Sequence, residues 1–262
     1  MAKIGLSNIV WAELTEGTNG SATYGTPSTF GKAVSSSTDI TNNEAELYAD
    51  DAIAESDYTF SKGTITLGVA DDDDTIFAGV LGHTIDSNGE MVRTANDTAP
   101  YVGLGRVITK MVNGVYKYKA EFLCKVKFKE PGQEDQTKGE SVEFSTPEIE
   151  GTIFSLGDTD GTWSKTKTFA SKALAQAYLS ACFGVEVEYT VIYNANGGTG
   201  SIDSVTVDAG ESVSLNNGST LSKSNSTFKG WATTPTATTP NVTSPYTPTG
   251  DTTLYAVWEA NS

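Results

Sequence analysis

Histidine is almost missing from this chain: His83 is the only one among 262 residues. A histidine-based triad or a zinc centre therefore has almost nothing to build on. Cysteine is nearly as scarce. Cys124 and Cys182 fall in apolar settings on different elements, which predicts two buried free thiols. No apolar run approaches the ~20 residues that a membrane-spanning helix needs. The opening MAKIGLSNIVWAEL lacks the apolar core and small-residue cleavage site of a secretory leader, so the chain is expected to be made and kept in the cytoplasm until it joins something larger, without a membrane partner. Bases are also in short supply: 17 Lys and Arg stand against 33 Asp and Glu, for a net charge of -16. That excludes nucleic-acid binding by phosphate neutralisation. Acids are numerous enough for some pair to reach glycosidase spacing by chance, but no nucleophile motif or phosphate loop accompanies them. Neither an enzyme nor a cofactor is expected.

What the chain does have is β pattern. In residues 115–128, VYKYKAEFLCKVKF, the residues Tyr116, Tyr118, Ala120, Phe122, Cys124, Val126 and Phe128 alternate with Lys117, Lys119, Glu121, Lys125 and Lys127. Between Tyr116 and Phe128, Leu123 is the one apolar residue on the polar side. Period-two alternation predicts one long strand, buried on one face and wet on the other. At ~3.3 Å per residue it would reach roughly 45 Å, more than twice a usual strand. A polar, turn-rich segment and a second strand-like run, SVEFSTPEIEGTIF, would complete a hairpin over 115–154. Its length suggests a sheet lent to a larger body.

Elsewhere, Asn8–Leu14 and Phe30–Ser35 read as extended pieces flanking a polar loop. Residues 42–57 read as extended rather than as an acidic helix, because YTFSKGTITLGV follows as a strand. There Tyr58 and Phe60 are even-numbered while Ile65, Leu67 and Val69 are odd, a parity switch that predicts a β-bulge near Gly63. Allowing for it, Glu55, Asp57, Thr59, Ser61, Thr64 and Thr66 share a polar face, without a base unless Lys62 takes the extra position. In DDDDTIFAGVLGH the spacing lacks the EF-hand glycine and terminal glutamate. Asp73 or Asp74 is instead expected to cap a short helix with Ile76, Phe77, Val80 and Leu81 on its apolar stripe. Strands are expected at 90–94, 101–112 and in GTWSKTKTF. A second helix follows, capped by Ser171, with Leu174, Ala177, Tyr178 and Ala181 on one face and Gly184 as its stop. Near Val185 the texture changes: Lys223 and Lys229 are the last bases, and Pro235, Pro240, Pro245 and Pro248 crowd together. The expected domains are 1–184 and 185–262, in a mainly β (α+β) chain.

Two family resemblances rest on these segments. YGTPSTFGKAVS (24–35), LYADDAIAE (47–55) with FSKGTITLGVAD, and the hairpin YKAEFLCKVKFKEPGQEDQTKGESVEFSTPEIEGTIF make residues 1–184 resemble the major tail-tube protein of long-tailed, siphovirus-like bacteriophages. YNANGGTG (193–200), TFKGWAT with Phe228 and Trp231, and the closing TTLYAVWE resemble the Listeria–Bacteroides repeat, similar to internalin B-repeats. Tyr193, Phe228, Trp231, Tyr255 and Trp258 are the expected core of that small domain.

The first resemblance implies a tail-tube β-sandwich or barrel subunit with two short helices, forming homohexameric rings that stack into a tube within the virion tail. It also implies partner tail proteins such as the tape measure and terminator, and DNA passing along an acidic lumen without specific binding. The lumen-facing candidates are Glu44, Glu46, Glu55, Asp57, Thr59 and Thr64. The inter-subunit hairpin candidates are Lys117, Lys119, Lys125, Lys127 and Glu143. For the lysine face three placements are open: a subunit interface, pairing with acids of the adjoining strand such as Glu143, or part of the lumen. The repeat would decorate the exterior, with a possible adhesive role. The alternative reading is a bacterial surface adhesin or a cell-wall or glycan-binding module.

Overall fold

The computed structural model describes residues 2–49, 52–70, 73–132 and 146–261. Its contacts divide the chain into two units, one running to Ala170 and including Cys182–Gly184, the other made of Ser171–Ala181 with the chain from Val185. The described residues are mainly β, with two short helices.

In the first unit the strands are β1 (Ala2–Glu16), β2 (Ala22–Tyr24), β3 (Ser28–Thr29), β4 (Ala33–Ala49) and β5 (Ala52–Val69), then helix α1 (Asp74–Leu81). A small hairpin, β6 (Thr84–Ile85) and β7 (Met91–Val92), leads to β8 (Val102–Val112), β9 (Val115–Phe128), β10 (Glu148–Phe154) and β11 (Ser164–Phe169). Nine of them form one sheet along the path β2-β1-β8-β9-β10-β5-β4, with β11 also on β9 and β3 on β1. The sheet folds over one core, in which Ile9, Leu104, Leu123 and Val126 meet Leu67, Ile149, Ile153 and helix residues Phe77, Val80 and Leu81. The expected stripe of α1 is therefore the packed one, with Ile76 partly buried. Asp73 caps α1, accepting a bond from the Thr75 amide at 2.9 Å, and Gly82 ends it in the left-handed conformation at φ 79°.

β9 departs from the simple alternation. Leu123 stands opposite Leu104, but Val126 stands opposite Val102, so Cys124 and Lys125 together face the single residue Gly103. This is the two-against-one count of a β-bulge, and it turns the parity of the strand. Leu123 is consequently a core residue along with Val126 and Phe128, not an intruder on a wet face. Phe122, one residue away, packs edge-on against Tyr24 and Phe183 at 5.2 and 4.8 Å. The middle of β9 is therefore buried on both faces. Gly103 permits this, because a Cβ there would lie 2.6 Å from the Tyr24 ring. Tyr24 in turn donates its hydroxyl to the Cys124 carbonyl at 2.8 Å. Cys124 is buried and free, and burial pushes its thiol up to about 11. Cys182 is half-buried and forms no disulfide.

The bulge expected near Gly63 is present one to two residues earlier. Asn42 pairs with Phe60 and Thr41 with Lys62, leaving Ser61 as the extra residue. Lys62 therefore keeps a place on the polar face opposite Thr41, which gives that face one base.

The second unit holds α2 (Lys172–Cys182) as far as Ala181 and strands β12 (Glu188–Asn194), β13 (Val205–Asp208), β14 (Ser226–Ala232) and β15 (Thr252–Ala260), in the order β13-β12-β15-β14 with β12 and β15 parallel. Ser171 caps α2 through its hydroxyl, which accepts from the Leu174 amide at 3.2 Å. The buried face of α2 is Ala175, Ala177 and Leu179; of the expected set, Ala177 belongs to it, Leu174 and Tyr178 are half-buried and Ala181 is exposed.

Trp231 is the centre of the small β domain, 4.8 Å from the Tyr193 ring and 5.1 Å from Phe228, which lies 5.8 Å from Trp258. Both indoles are satisfied, Trp231 donating to the Asn216 carbonyl at 2.6 Å and Trp258 to the Ala195 carbonyl at 2.9 Å. Gly218, at φ 72°, lies under Phe228 where a Cβ would stand 2.6 Å from the ring. Tyr255 is outside this cluster. On β15 the alternating residues Leu254, Ala256 and Trp258 face the core, so Tyr255 points from the other side of the strand.

The bulge in β9 makes a direct prediction. Leu123→Ala should cost ~2–5 kcal/mol, the range for truncating a packed core leucine. A leucine on a wet face would cost within ~0.5 kcal/mol. Urea denaturation of the two proteins separates these outcomes.

Candidate assembly surface

Among the described residues the longest paired ribbon precedes the 115–154 segment. β4 and β5 pair continuously from Ala33 and Val69 to Ala49 and Ala52. On its other edge β5 meets β10 only between Gly63 and Gly68. Beyond Gly63 the two strands pair only with each other among the described residues, and Phe60 anchors the base of the ribbon by stacking on Trp163 at 4.7 Å. Residues 39–48, Ile53 and 55–59 are exposed on both faces of this arm. From Thr41 to Ala49 the arm extends roughly 30 Å at ~3.4 Å per residue. It displays Leu47 at 59%, Tyr48 at 63%, Ile53 at 53% and Tyr58 at 57% exposure. A solitary two-stranded ribbon is at best marginally stable in water, and its open edges are templates for pairing.

Register decides what each face of the arm carries. Glu44 stands opposite Tyr58 and Glu46 opposite Ser56, in line with Ser36 and Thr38 farther along β4. Glu55 stands opposite Leu47, Asp57 opposite Ala45, Thr59 opposite Asn43 and Thr64 opposite Asp39. Directly opposed residues share a face, and faces alternate. The six lumen candidates thus separate into two sets: Glu44 and Glu46 on one face, Glu55, Asp57, Thr59 and Thr64 on the other. The first face is stitched by Tyr58 donating to Glu44 at 2.6 Å and Tyr48 donating to Glu46 at 2.7 Å. Each carboxylate acceptor pushes its phenol's titration up.

The lysines of β9 are divided in the same manner by the strand's own bulge. Lys119 bonds Glu121 at 3.0 Å. Glu121 is clasped by Arg106, which is 6% exposed and also donates to Thr38 at 2.7 Å and to Ser36. Burial pushes the Glu121 carboxyl up, yet the Arg106 charge and the Lys119 bond outweigh it and leave the group below its ordinary range. Lys125 and Lys127 lie instead over the Tyr101 ring, at 4.5 and 5.0 Å, and Lys125 pairs with Glu16. The single lysine face expected from alternation is therefore two faces, and Lys119 and Lys125 are neutralised within the chain. Glu143 lies outside the described residues.

The one histidine joins three segments. His83 follows α1, its Nδ1 2.7 Å from Asp97 and its Nε2 2.9 Å from Glu130, which also meets Arg93 at 3.2 Å. Carboxylates only accept hydrogen bonds, so two such contacts call for the doubly protonated ring. The bond to Asp97 accordingly raises the histidine's titration against the opposing effect of burial, and Glu130 adds to the rise. Asp97, held by Thr94 and His83, falls to about 2.

The second unit contains an open cavity of about 410 Å³, lined by Tyr193, Asp203, Val205, Ser214, Asn216 and Thr220 among others. Of the five expected core residues, Tyr193, Phe228, Trp231 and Trp258 come together and Tyr255 does not. Among the described residues no His, Cys, Asp and Glu group has the geometry to hold a metal ion.

Compared with known proteins, residues 189–257 match the family model of the Listeria-Bacteroides repeat domain. The match falls within the second unit. No curated protein matches the chain.

The His83 cluster generates a pH dependence. Because the folded value is raised, its stabilisation is fully present below the ordinary histidine value of ~6.5 and is lost as pH rises through the raised one. Thermal melts of the protein and of His83→Gln should differ most near pH 5.5–6 and converge toward pH 9. A gap that widens with pH would contradict the doubly protonated ring.

Proposed function

We propose that this chain is a self-assembling structural subunit, whose first unit forms stacked hexameric rings of the tail-tube kind and whose repeat unit decorates their exterior. The observation that carries this reading is the arm, a long ribbon whose residues 39–48, Ile53 and 55–59 are exposed on both faces with apolar side chains on display. Such an arm gains stability when the sheet of another subunit covers it. The resemblance of residues 1–184 to tail-tube proteins supplies the architecture. The face bearing Glu55, Asp57, Thr59 and Thr64 is acidic and hydroxylated, suited to a wall along which DNA slides without sticking. The tape measure and terminator proteins are the partners that such a tube requires. Nothing in this role calls for a catalytic centre or a cofactor.

The repeat match supports a second reading, a surface adhesin or glycan-binding module. It accounts for the second unit but leaves the arm of the first without a purpose.

Electron microscopy of the purified protein at high concentration should show rings or tubes with an open bore. Replacing residues 43–59 by a short turn, which keeps Phe60 on Trp163, should leave a folded monomer with the core of the first unit intact. Deleting residues 185–262 should leave assembly in place. A protein that stays monomeric at every concentration would sink the proposal, as would tubes formed equally well without the arm.

A further inference from the structure

The end of the sheet at the β8–β9 turn carries a charge arrangement that the fold itself leaves unanswered. Lys3 stands opposite Lys110 across β1 and β8, and Lys110 stands opposite Lys117 across β8 and β9. Directly opposed residues share a face, so the three ammonium groups form one row across three strands. Like charges placed opposite each other destabilise a sheet. Among the described residues Lys119, Lys125 and Lys129 each have a carboxylate partner, but Lys3, Lys110 and Lys117 have none. Val115, 56% exposed, ends the same face. The row is thus an uncompensated cationic strip with an apolar end, on a chain whose net charge is -16.

The arm offers the complement. On the face that carries Glu44 and Glu46, each tyrosine hydroxyl occupies one carboxylate oxygen and leaves the other open. Tyr48 and Tyr58 bring exposed apolar rings beside these acids. We infer that the Glu44–Glu46 face of the arm docks on the Lys3–Lys110–Lys117 row of a second copy of this chain. The inference rests on the self-assembly reading and names the two surfaces that meet. It gives the two faces of the arm separate work: one joins subunits, while the Glu55–Asp57 face stays free. Charge complementarity of this kind sets register and partner choice, and it explains why mutually repelling lysines occupy opposed positions.

The test is a charge exchange in the full chain, read by sedimentation velocity and electron microscopy. Lys117→Glu places an acid opposite Lys110 and so relieves repulsion within the subunit. The melting temperature should hold or rise, while the concentration needed for assembly rises about tenfold or more, the scale of a lost close charge pair. A merely structural role for the lysine would couple the two readouts in the same direction. Glu44→Lys should weaken assembly similarly, and the chain carrying both changes should recover most of it. Lys117→Gln serves as the milder companion should the reversal fail to fold, with a smaller loss expected. Assembly unchanged in both single variants overturns the docking while leaving self-assembly standing. A wild-type chain that never assembles overturns the reading beneath it. Loss of a DNA gel shift on Lys117→Glu, with assembly intact, would assign the row to nucleic acid and overturn the docking as well.

Discussion

The first unit depends on how β9 shares its edges. One edge pairs with β8 from Val115 to Val126. The other edge is divided, with β11 holding Tyr118–Leu123 and β10 holding Lys125–Phe128. The bulge at Cys124 and Lys125 sits at the handover, where the Cys124 amide donates to the Trp163 carbonyl at 2.9 Å. A strand with three partners must turn its hydrogen-bonding direction between two of them, and one extra residue accomplishes that turn. The same residue moves Leu123, Val126 and Phe128 to the side of the main core and leaves Phe122 for the Tyr24–Phe183 cluster.

That geometry also sorts charge. Before the bulge, Lys119 and Glu121 share the side where Arg106 reaches Ser36 and Thr38; after it, Lys125 and Lys127 lie with Tyr101 and Glu16 on the other. Arg106 and Glu121 are costly to bury as single charges, but the pair is tied by side-chain bonds to β4 and so joins the middle of the sheet to its β4 edge. Farther along β4 that support ends, and the arm begins. Packing explains the body of this unit well, whereas the arm is exposed on both faces and the lysine row has no carboxylate partner among the described residues.

Much of the architecture was legible from residues. The parity switch between Phe60 and Ile65 located a bulge because β5 is buried on a single face, where period two is clean. The Asp73 cap and the Trp231 cluster were legible for a similar reason: capping chemistry and aromatic crowding are local. The β9 bulge was not, because a strand buried on both faces shows apolar residues at adjacent positions, and Leu123 then looks like an exception rather than a parity change. Tyr255 was misplaced because three apolar neighbours flank it on β15, and composition alone does not choose which alternate set faces inward.

The sequence by itself determined a β-rich chain, two textures along it, an acidic balance and a ribbon too long for a small sandwich. Local alternation, turn chemistry and residue type suffice for these. Only the tertiary structure decided which ribbon stands uncovered, how Glu44 and Glu46 part from Glu55 and Asp57, and which lysines find carboxylates. Those outcomes depend on strand register and on partners more than a hundred residues apart, such as Glu16 and Lys125, and no local pattern encodes that distance.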